Sequence, residues 1–349
     1  MKAFCYSLAI LLGLSLNCRP DEPPAEQNQP PVAKTKIVDY FKSLISRNEV
    51  LTGQQCGDGD DIRPYYDAYV EKLHTASGKY VGLIGADYGW KPNNFTTINN
   101  ILIDYWKKGG LVTVSWHADN PWTDGYNVRF NSVTNKNIIN LTALTKNAPA
   151  SAARTNYRNE LQQVAQALLT LKNAGVVVIW RPFHEMNGDW FWWGINEYGD
   201  KQTNTQDYVA LWRDMHETFT QEYGLDNLIW VYSPAVKMDW NASVQAYYPG
   251  NAYVDLVGQD VYAAAPDIPD YTTLAALGKP VVLCEIGPDD KAYGKFDQLR
   301  LLEKAKGKAA YFLQWHSWGD AAKVAIIDNL NYKEMMNSPT AITRDKIEF

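Results

Sequence analysis

Two glutamates in this chain each close a run that reads as a buried β-strand. Glu185 lies in Trp180-Arg-Pro-Phe-His-Glu-Met-Asn-Gly-Asp-Trp-Phe-Trp-Trp193. A carboxyl group among tryptophans resists ionisation, so its pKa rises. That suits an acid that must hold its proton near neutral pH. The structural alternative is an ion pair with Arg181, four residues earlier. Glu285 lies in Lys279-Pro-Val-Val-Leu-Cys-Glu-Ile-Gly-Pro288. A period of two predicts Val281, Leu283 and Glu285 on one face, with Cys284 on the other. A lone carboxylate ending an apolar strand is costly unless paired or used, and its alternative is an ion pair with an arginine on another strand. Taken together, two carboxylates flanking a glycosidic bond are the machinery of glycoside hydrolysis: one protonates the leaving oxygen, the other attacks the anomeric carbon or activates water.

The His184-Glu185 pair also invites a zinc reading. The metalloprotease pattern needs a second histidine four residues after the first on a helix. Gly188 stands there instead, and Pro182 and Gly188 do not suit a helix. No metal and no cofactor is expected.

Thirteen Trp and 22 Tyr exceed what core packing asks for. Sugar rings present apolar C–H faces that pack on indole and phenol rings, while their hydroxyls need converging hydrogen bonds. Trp116, Trp122, Trp190, Trp192, Trp193, Trp315 and Trp318 fall at or just past expected strand ends, whereas Trp180, Trp212 and Trp230 sit inside elements and are expected in the core.

The elements that must position these groups alternate between short β-rich runs and amphipathic helical stretches, which indicates βα units and a parallel sheet. Eight strands are predicted, over 50–53, 80–86, 111–116, 176–181, 228–232, 254–260, 280–285 and 310–315. Several are nearly continuous apolar runs, as expected for strands buried on both faces. Leu161, Val164, Leu168 and Leu171 share a helical face before one strand; Tyr208, Leu211, Trp212, Met215 and Phe219 do so before the next. The fold expected is an α/β (β/α)8 barrel, since no glycine-rich phosphate fingerprint follows the first strand to favour an open doubly wound sheet. Catalytic residues of such barrels lie at the C-terminal ends of strands. Three of the five histidines, His117, His184 and His316, fall there.

The chain has 349 residues, 46% of them hydrophobic and 21% charged, with a formal charge of −6. That balance argues against a nucleic-acid partner, which needs a basic patch. Lys2 followed by the apolar run from Phe4 to Leu16 resembles an export signal, too short to span a bilayer. Cys18 then resembles a bacterial lipoprotein site, although the residues before it depart from the usual small-residue pattern. Residues 1–18 are thus expected to be a signal, with a lipid anchor at Cys18 or, failing that, ordinary secretion. The five prolines of residues 19–36 suggest an extended tether, and residues 37–349 one catalytic domain acting as a monomer. Cys56 and Cys284 show no metal-ligand spacing and are expected as two small buried residues without a disulfide.

The stretch Trp180–Trp193, the strand around Glu285 and Ser115-Trp-His-Ala-Asp-Asn-Pro121 resemble glycoside hydrolase family 26, a family of retaining (β/α)8 hydrolases. Many related families carry Asn before the acid/base, whereas this family carries His, as His184 does here. The resemblance implies Glu185, ending the fourth strand, as general acid/base, and Glu285, ending the seventh, as nucleophile. It implies that Tyr262 hydrogen-bonds the nucleophile and that His184 and Arg181 set the electrostatics of the pair. It also implies that His117 contacts the sugar at the cleavage subsite and that Trp190 and Trp315 wall that subsite. Asp87 and Trp90 would reach a distal subsite; His316 and Trp318 receive no role. Most members cut β-1,4 bonds of mannan, glucomannan or galactomannan, which is the expected substrate class. Mixed-linkage β-glucan, β-1,3-xylan or release of mannobiose from chain ends are alternatives, as is a non-catalytic glycan-binding lipoprotein. The stretch from Asn120 to Thr155 is a candidate for shaping the cleft.

Overall fold

The computed structural model describes residues 30–59, 61–90, 94–129, 138–194, 205–239 and 241–349. The signal, Cys18 and residues 19–29 of the tether lie outside the described residues. Eight parallel strands close a ring: β1 (Val50–Gln55), β2 (Leu83–Asp87), β3 (Leu111–Trp116), β4 (Val178–Pro182), β5 (Leu228–Tyr232), β6 (Leu256–Ala263), β7 (Val281–Pro288) and β8 (Tyr311–Gln314). Closure comes from β1, which pairs with both β8 and β2; a two-residue strand, β9 (Ala341–Ile342), also pairs with the start of β1. The α-helices are α1 (Pro30–Ser46), α2 (Arg63–Tyr66), α3 (Lys72–Ser77), α4 (Phe95–Lys107), α5 (Ala152–Asn173), α6 (Thr205–Glu217), α7 (Tyr271–Ala275), α8 (Gln298–Ala305) and α9 (Tyr332–Met336). Each predicted strand is present, so the fold is the (β/α)8 barrel.

Both faces of the strands are buried, which explains their continuous apolar composition. Leu51, Leu83, Leu111, Ile179, Val231, Leu256, Val282 and Leu313 fill the barrel. A second, larger apolar layer includes Val112, Val114, Trp180 and Leu283 from the strands, with Leu102, Leu161 and Leu168 from α4 and α5. Helix α1 begins at Pro30, inside the segment expected to be an extended tether. Proline is tolerated in a first helical turn, where the missing N–H has no partner to lose. Ile37, Phe41 and Leu44 then recur at helical spacing and pack with Leu51 and Tyr311 of the barrel interior. An ion pair from Lys34 to Asp255, just before β6, ties α1 to the N-terminal end of the barrel. The opposite end is left for the site.

One local irregularity matters more than any helix. From Leu283 to Glu285, β7 advances two residues while β6 advances one, from Gln259 to Asp260. Against β8, three steps from Leu283 to Ile286 face two from Phe312 to Gln314. Strand β7 therefore carries one extra residue, a β-bulge, which re-aims the side chains that follow. Val282 and Cys284 lie in the barrel interior and Leu283 in the outer layer. Without the bulge, Glu285 would follow Leu283 outward. With it, Glu285 turns towards Arg181 and the mouth of the barrel. The expectation that Val281, Leu283 and Glu285 share a face is corrected by this extra residue. Gly258 on β6 makes the bulge possible, because a Cβ there would meet Cys284 Sγ at 2.2 Å. Cys284 and Cys56 are buried free thiols.

Candidate active site

Glu185 stands three residues past β4, on a backbone that two left-handed residues bend sharply: Phe183 has φ 46° and Glu185 φ 55°. Such conformations cost non-glycine residues about 1–2 kcal/mol each, so the surroundings must enforce them. They do so from four directions. Glu185 N–H donates to Ser233 O at 2.7 Å and Gly188 N–H to Glu185 O at 2.9 Å. Tyr208 Oη donates to Phe183 O at 2.8 Å and Trp193 Nε1 to His184 O at 2.7 Å. Buried Asn187 braces the same turn by exchanging two hydrogen bonds with Ala235.

Glu285 receives Arg181 Nη2 on Oε1 at 2.5 Å and Tyr262 Oη on Oε2 at 2.9 Å. Arg181 also donates to Asp260 Oδ2 at 3.0 Å, and Ser233 Oγ to Asp260 Oδ1 at 2.6 Å. The arginine ion pair considered for Glu285 therefore exists, with Arg181; the one considered for Glu185 does not form. Glu185 instead accepts from Trp190 Nε1 at 2.6 Å. An oxygen of each of Glu185, Asp260 and Glu285 lies within 4.8 Å of the others.

Three carboxyl groups around one guanidinium cannot all ionise cheaply. Burial, then the charge of Glu285, pushes Glu185 up to about 7, against the pull of the Trp190 hydrogen bond and Arg181. Burial alone would weaken the charge on Arg181, but Glu285 and Asp260 outweigh it and keep the guanidinium charged. Burial and Glu285 drive the Tyr262 phenol well up, so it remains a donor. The two carboxyl groups thus stand in different surroundings: Glu185 holds its proton into neutral pH, while Glu285 is gripped by two donors.

The histidines form a chain behind this pair. Asp87, fully buried, takes Ser115 Oγ and His117 Nδ1, the latter at 2.7 Å. His117 Nε2 meets His184 Nε2 at 2.9 Å. Burial, then Arg181, lowers His184 well below its usual range, so it is neutral. With Nδ1 on Asp87, the second nitrogen of His117 shares its hydrogen bond with His184 Nε2. Both nitrogens of His117 are therefore used inside the protein, and its contact with a ligand is through ring carbons. Asp87, expected at a distal subsite, instead orients His117 from beneath. The two groups with metal-ligand spacing among the described residues, His117–His184–Glu285 and Glu185–Asp260–Glu285, both fall here. The Arg181 charge and the committed His117 nitrogens already occupy the place of a cation.

A cavity of about 630 Å³ opens over the pair, lined by Asp58, Trp90, His117, Arg129, Glu185, Trp190, Phe191, Tyr262, Glu285, Trp315 and Trp318. A second space of about 320 Å³ shares Glu185, Trp190 and Tyr262 but not Glu285, and extends over Val236, Met238 and Pro269. Trp190, Trp315, Trp90 and Trp318 thus meet the open space. Trp116, Trp192 and Trp193 do not: all three are fully buried. Trp192 Nε1 donates to Ala118 O at 2.8 Å, and like Trp193 it braces the loop that carries Glu185. Trp122 packs on Trp192. His316 is buried against Tyr65, pushed down to about 4 by burial. Asp58 and Phe191 received no role from the sequence, and Asp260, two residues before Tyr262, was marked only as a polar residue at a strand end. Arg129, over Trp90 and Phe191, comes from the stretch expected to shape the cleft.

Comparison with known proteins agrees with this geometry. Residues 27–346 match the profile of glycosyl hydrolase family 26. A mannan endo-1,4-beta-mannosidase A and B of Caldalkalibacillus mannanilyticus is 34% identical over 317 residues, 87% of this chain; the match spans 59% of that protein. A mannan endo-1,4-beta-mannosidase of Bacillus subtilis is 34% identical over 315 residues, covering 86% of this chain and 83% of its own. The structure of a Bacillus subtilis mannanase superposes with a TM-score of 0.77 at 28% identity, over 92% of this chain and 96% of that one. The chain belongs to glycosyl hydrolase family 26.

Proposed function

We propose that this protein is an endo-acting β-mannanase that hydrolyses β-1,4-mannosidic bonds with retention, with Glu185 as acid/base and Glu285 as nucleophile. The observation that carries the mechanism is the close approach, within 4.8 Å, of an oxygen of each carboxyl group. Retaining enzymes hold the two groups about 5–5.5 Å apart, whereas inverting ones leave about 6.5–9.5 Å for a water. The substrate class is that of the two mannosidases above, at 34% identity.

The two cavities divide the labour. The nucleophile must reach the anomeric carbon, so the sugar attacked occupies the larger space with Glu285. The acid must reach the glycosidic oxygen, so Glu185 sits at the boundary, and the leaving sugar occupies the space lined by Glu185 but not by Glu285. In the first step Glu185 gives its proton to the leaving oxygen while Glu285 bonds to the anomeric carbon. Glu285 then carries an ester and no charge. One of the two influences raising Glu185 disappears with it, so the pKa of Glu185 falls and the carboxylate is ready to take a proton from water. That water releases the sugar and restores Glu285. Tyr262 and Arg181 hold Glu285 in line and release it as charge leaves its oxygens. Trp190, Trp315 and the carbon edge of His117 pack against the sugar faces.

The protein is further proposed to be exported and anchored through a lipid on Cys18, or secreted if Cys18 is not modified, and to act as a monomer; Lys2, the apolar run and Cys18 support the first part. Product profiling on mannan, galactomannan, mixed-linkage β-glucan and β-1,3-xylan tests the substrate. Mixed manno-oligosaccharides support the reading; mannobiose alone would indicate exo cleavage, and turnover of only another glycan would overturn it. Mass analysis of the N-terminal peptide after expression in a lipoprotein-processing host tests the anchor.

A further inference from the structure

Outside the cleft, the barrel carries a second concave surface between α4, α5 and the loop after β3. One part, of about 340 Å³, is lined by Phe95, Asp119, Asp124, Tyr126, Asn159 and Gln163, among others. An adjoining part, of about 510 Å³, shares Phe95 and Gln163 and continues past Asn100, Gln162, Gln166 and Thr170. From Asn156 to Thr170 the α5 side of this groove runs for about 21 Å at 1.5 Å per residue, long enough for several pyranose rings.

Its chemistry is unusual for a solvated helix face. Exposed positions of α5 facing the groove carry amides and a hydroxyl, Asn159, Gln162, Gln163, Gln166 and Thr170, where Lys and Glu are the common choice. No cationic side chain lines either part, which disfavours phosphate or nucleic acid. The apolar side chains in the lining are Phe95, Pro121, Tyr126 and Ala167, set among polar ones. Tyr126 is 54% exposed, an aromatic face offered to solvent. Two rings beside a row of amide donors and acceptors fit a polyhydroxylated chain. The acidic groups at one end are not a cation cage. Glu160 accepts from Trp116 Nε1 and from Asp119 N–H, and Asp119 accepts from the N–H groups of Asn120 and Asn127. The floor is firm, because Asn99 binds Ala167 O at 2.8 Å and receives Tyr88 Oη.

We infer that this groove is a second glycan-binding site, which holds a strand of the polymeric substrate outside the cleft. The inference takes its ligand class from the function proposed above. The loop that ends β3 links the two sites: Asp119, Asp124 and Tyr126 line the groove, and Arg129, three residues after Tyr126, lines the cleft. A polymer held in the groove is thereby kept beside the cleft.

The test compares the full chain with Tyr126→Ala and, separately, with Gln163→Lys, a substitution that an exposed helix position accepts. Binding to insoluble β-1,4-mannan and hydrolysis of a short soluble manno-oligosaccharide are measured for each. Loss of the ring contact is expected to weaken polymer binding roughly three- to tenfold, with turnover of the short substrate unchanged for both variants. Unchanged polymer binding in both variants would overturn the inference. If the wild-type protein cleaves a different β-glycan, the proposed substrate fails, and the same comparison on that glycan still decides the groove.

Discussion

Replacing Trp190 by Phe keeps an aromatic ring against the sugar and removes one N–H, which donates to Glu185 Oε2 at 2.6 Å. That hydrogen bond favours the ionised carboxyl, so its loss must raise the pKa of Glu185 above about 7. Hydrogen bonds to charged groups contribute about 1.5–3 kcal/mol. One pKa unit corresponds to about 1.4 kcal/mol, which bounds the shift at roughly two units. Glu185 borders open space, where water replaces part of the lost bond, so a shift of about one unit is expected. The assay is kcat/KM against pH on a soluble manno-oligosaccharide, whose alkaline limb reports the acid of the free enzyme. The wild-type limb is expected near 7, and the variant's at roughly 8. A limb that stays in place or moves down would refute the assignment of Glu185 as the group that sets it.

Three further outcomes follow from the same contacts. Tyr262→Phe removes one of the two donors to Glu285 and should lower kcat about 10- to 100-fold, while circular dichroism and thermal melting remain close to wild type. Gly258→Ala places a Cβ 2.2 Å from Cys284 Sγ; it should destabilise the fold by about 1–3 kcal/mol in denaturant titration and lower activity by shifting Glu285. Burial raises Glu160 from its ordinary 4.5 to about 8. A carboxyl raised by folding contributes stability that is full below 4.5 and lost as pH climbs through 8. The melting temperature of the wild type relative to Glu160→Gln should therefore fall between these limits; a constant difference would contradict it.

Much of the site could be read before the fold was known, because chemistry and periodicity agreed. Glu185, Glu285, Tyr262 and Arg181 all fall at the ends of apolar runs, and the structure brings them into one network. The aromatic loop after Glu185 was legible as a whole but not residue by residue. Trp190 faces the cleft while Trp192 and Trp193 turn into the core, a difference set by the irregular turn at Phe183 and Glu185, to which no periodic rule applies. The bulge in β7 was invisible for a related reason. Period-two alternation assumes an unbroken ladder, and nothing in Leu283-Cys-Glu-Ile marks an extra residue. Its enabling partner, Gly258, lies on the neighbouring strand. Helix α1 was obscured by its own first turn, since Pro30 and Pro31 read as tether until Ile37, Phe41 and Leu44 are seen closing the barrel.

The central claim is that Glu285 becomes covalently bonded to the sugar. Incubating the protein with a 2-deoxy-2-fluoro-mannosyl fluoride extended by one mannose, then digesting it and mapping the added mass, tests this directly. The account predicts one adduct, on the peptide containing Glu285, formed with loss of activity. An adduct on another residue, or inhibition without any covalent mass while the product anomer is inverted, would contradict it.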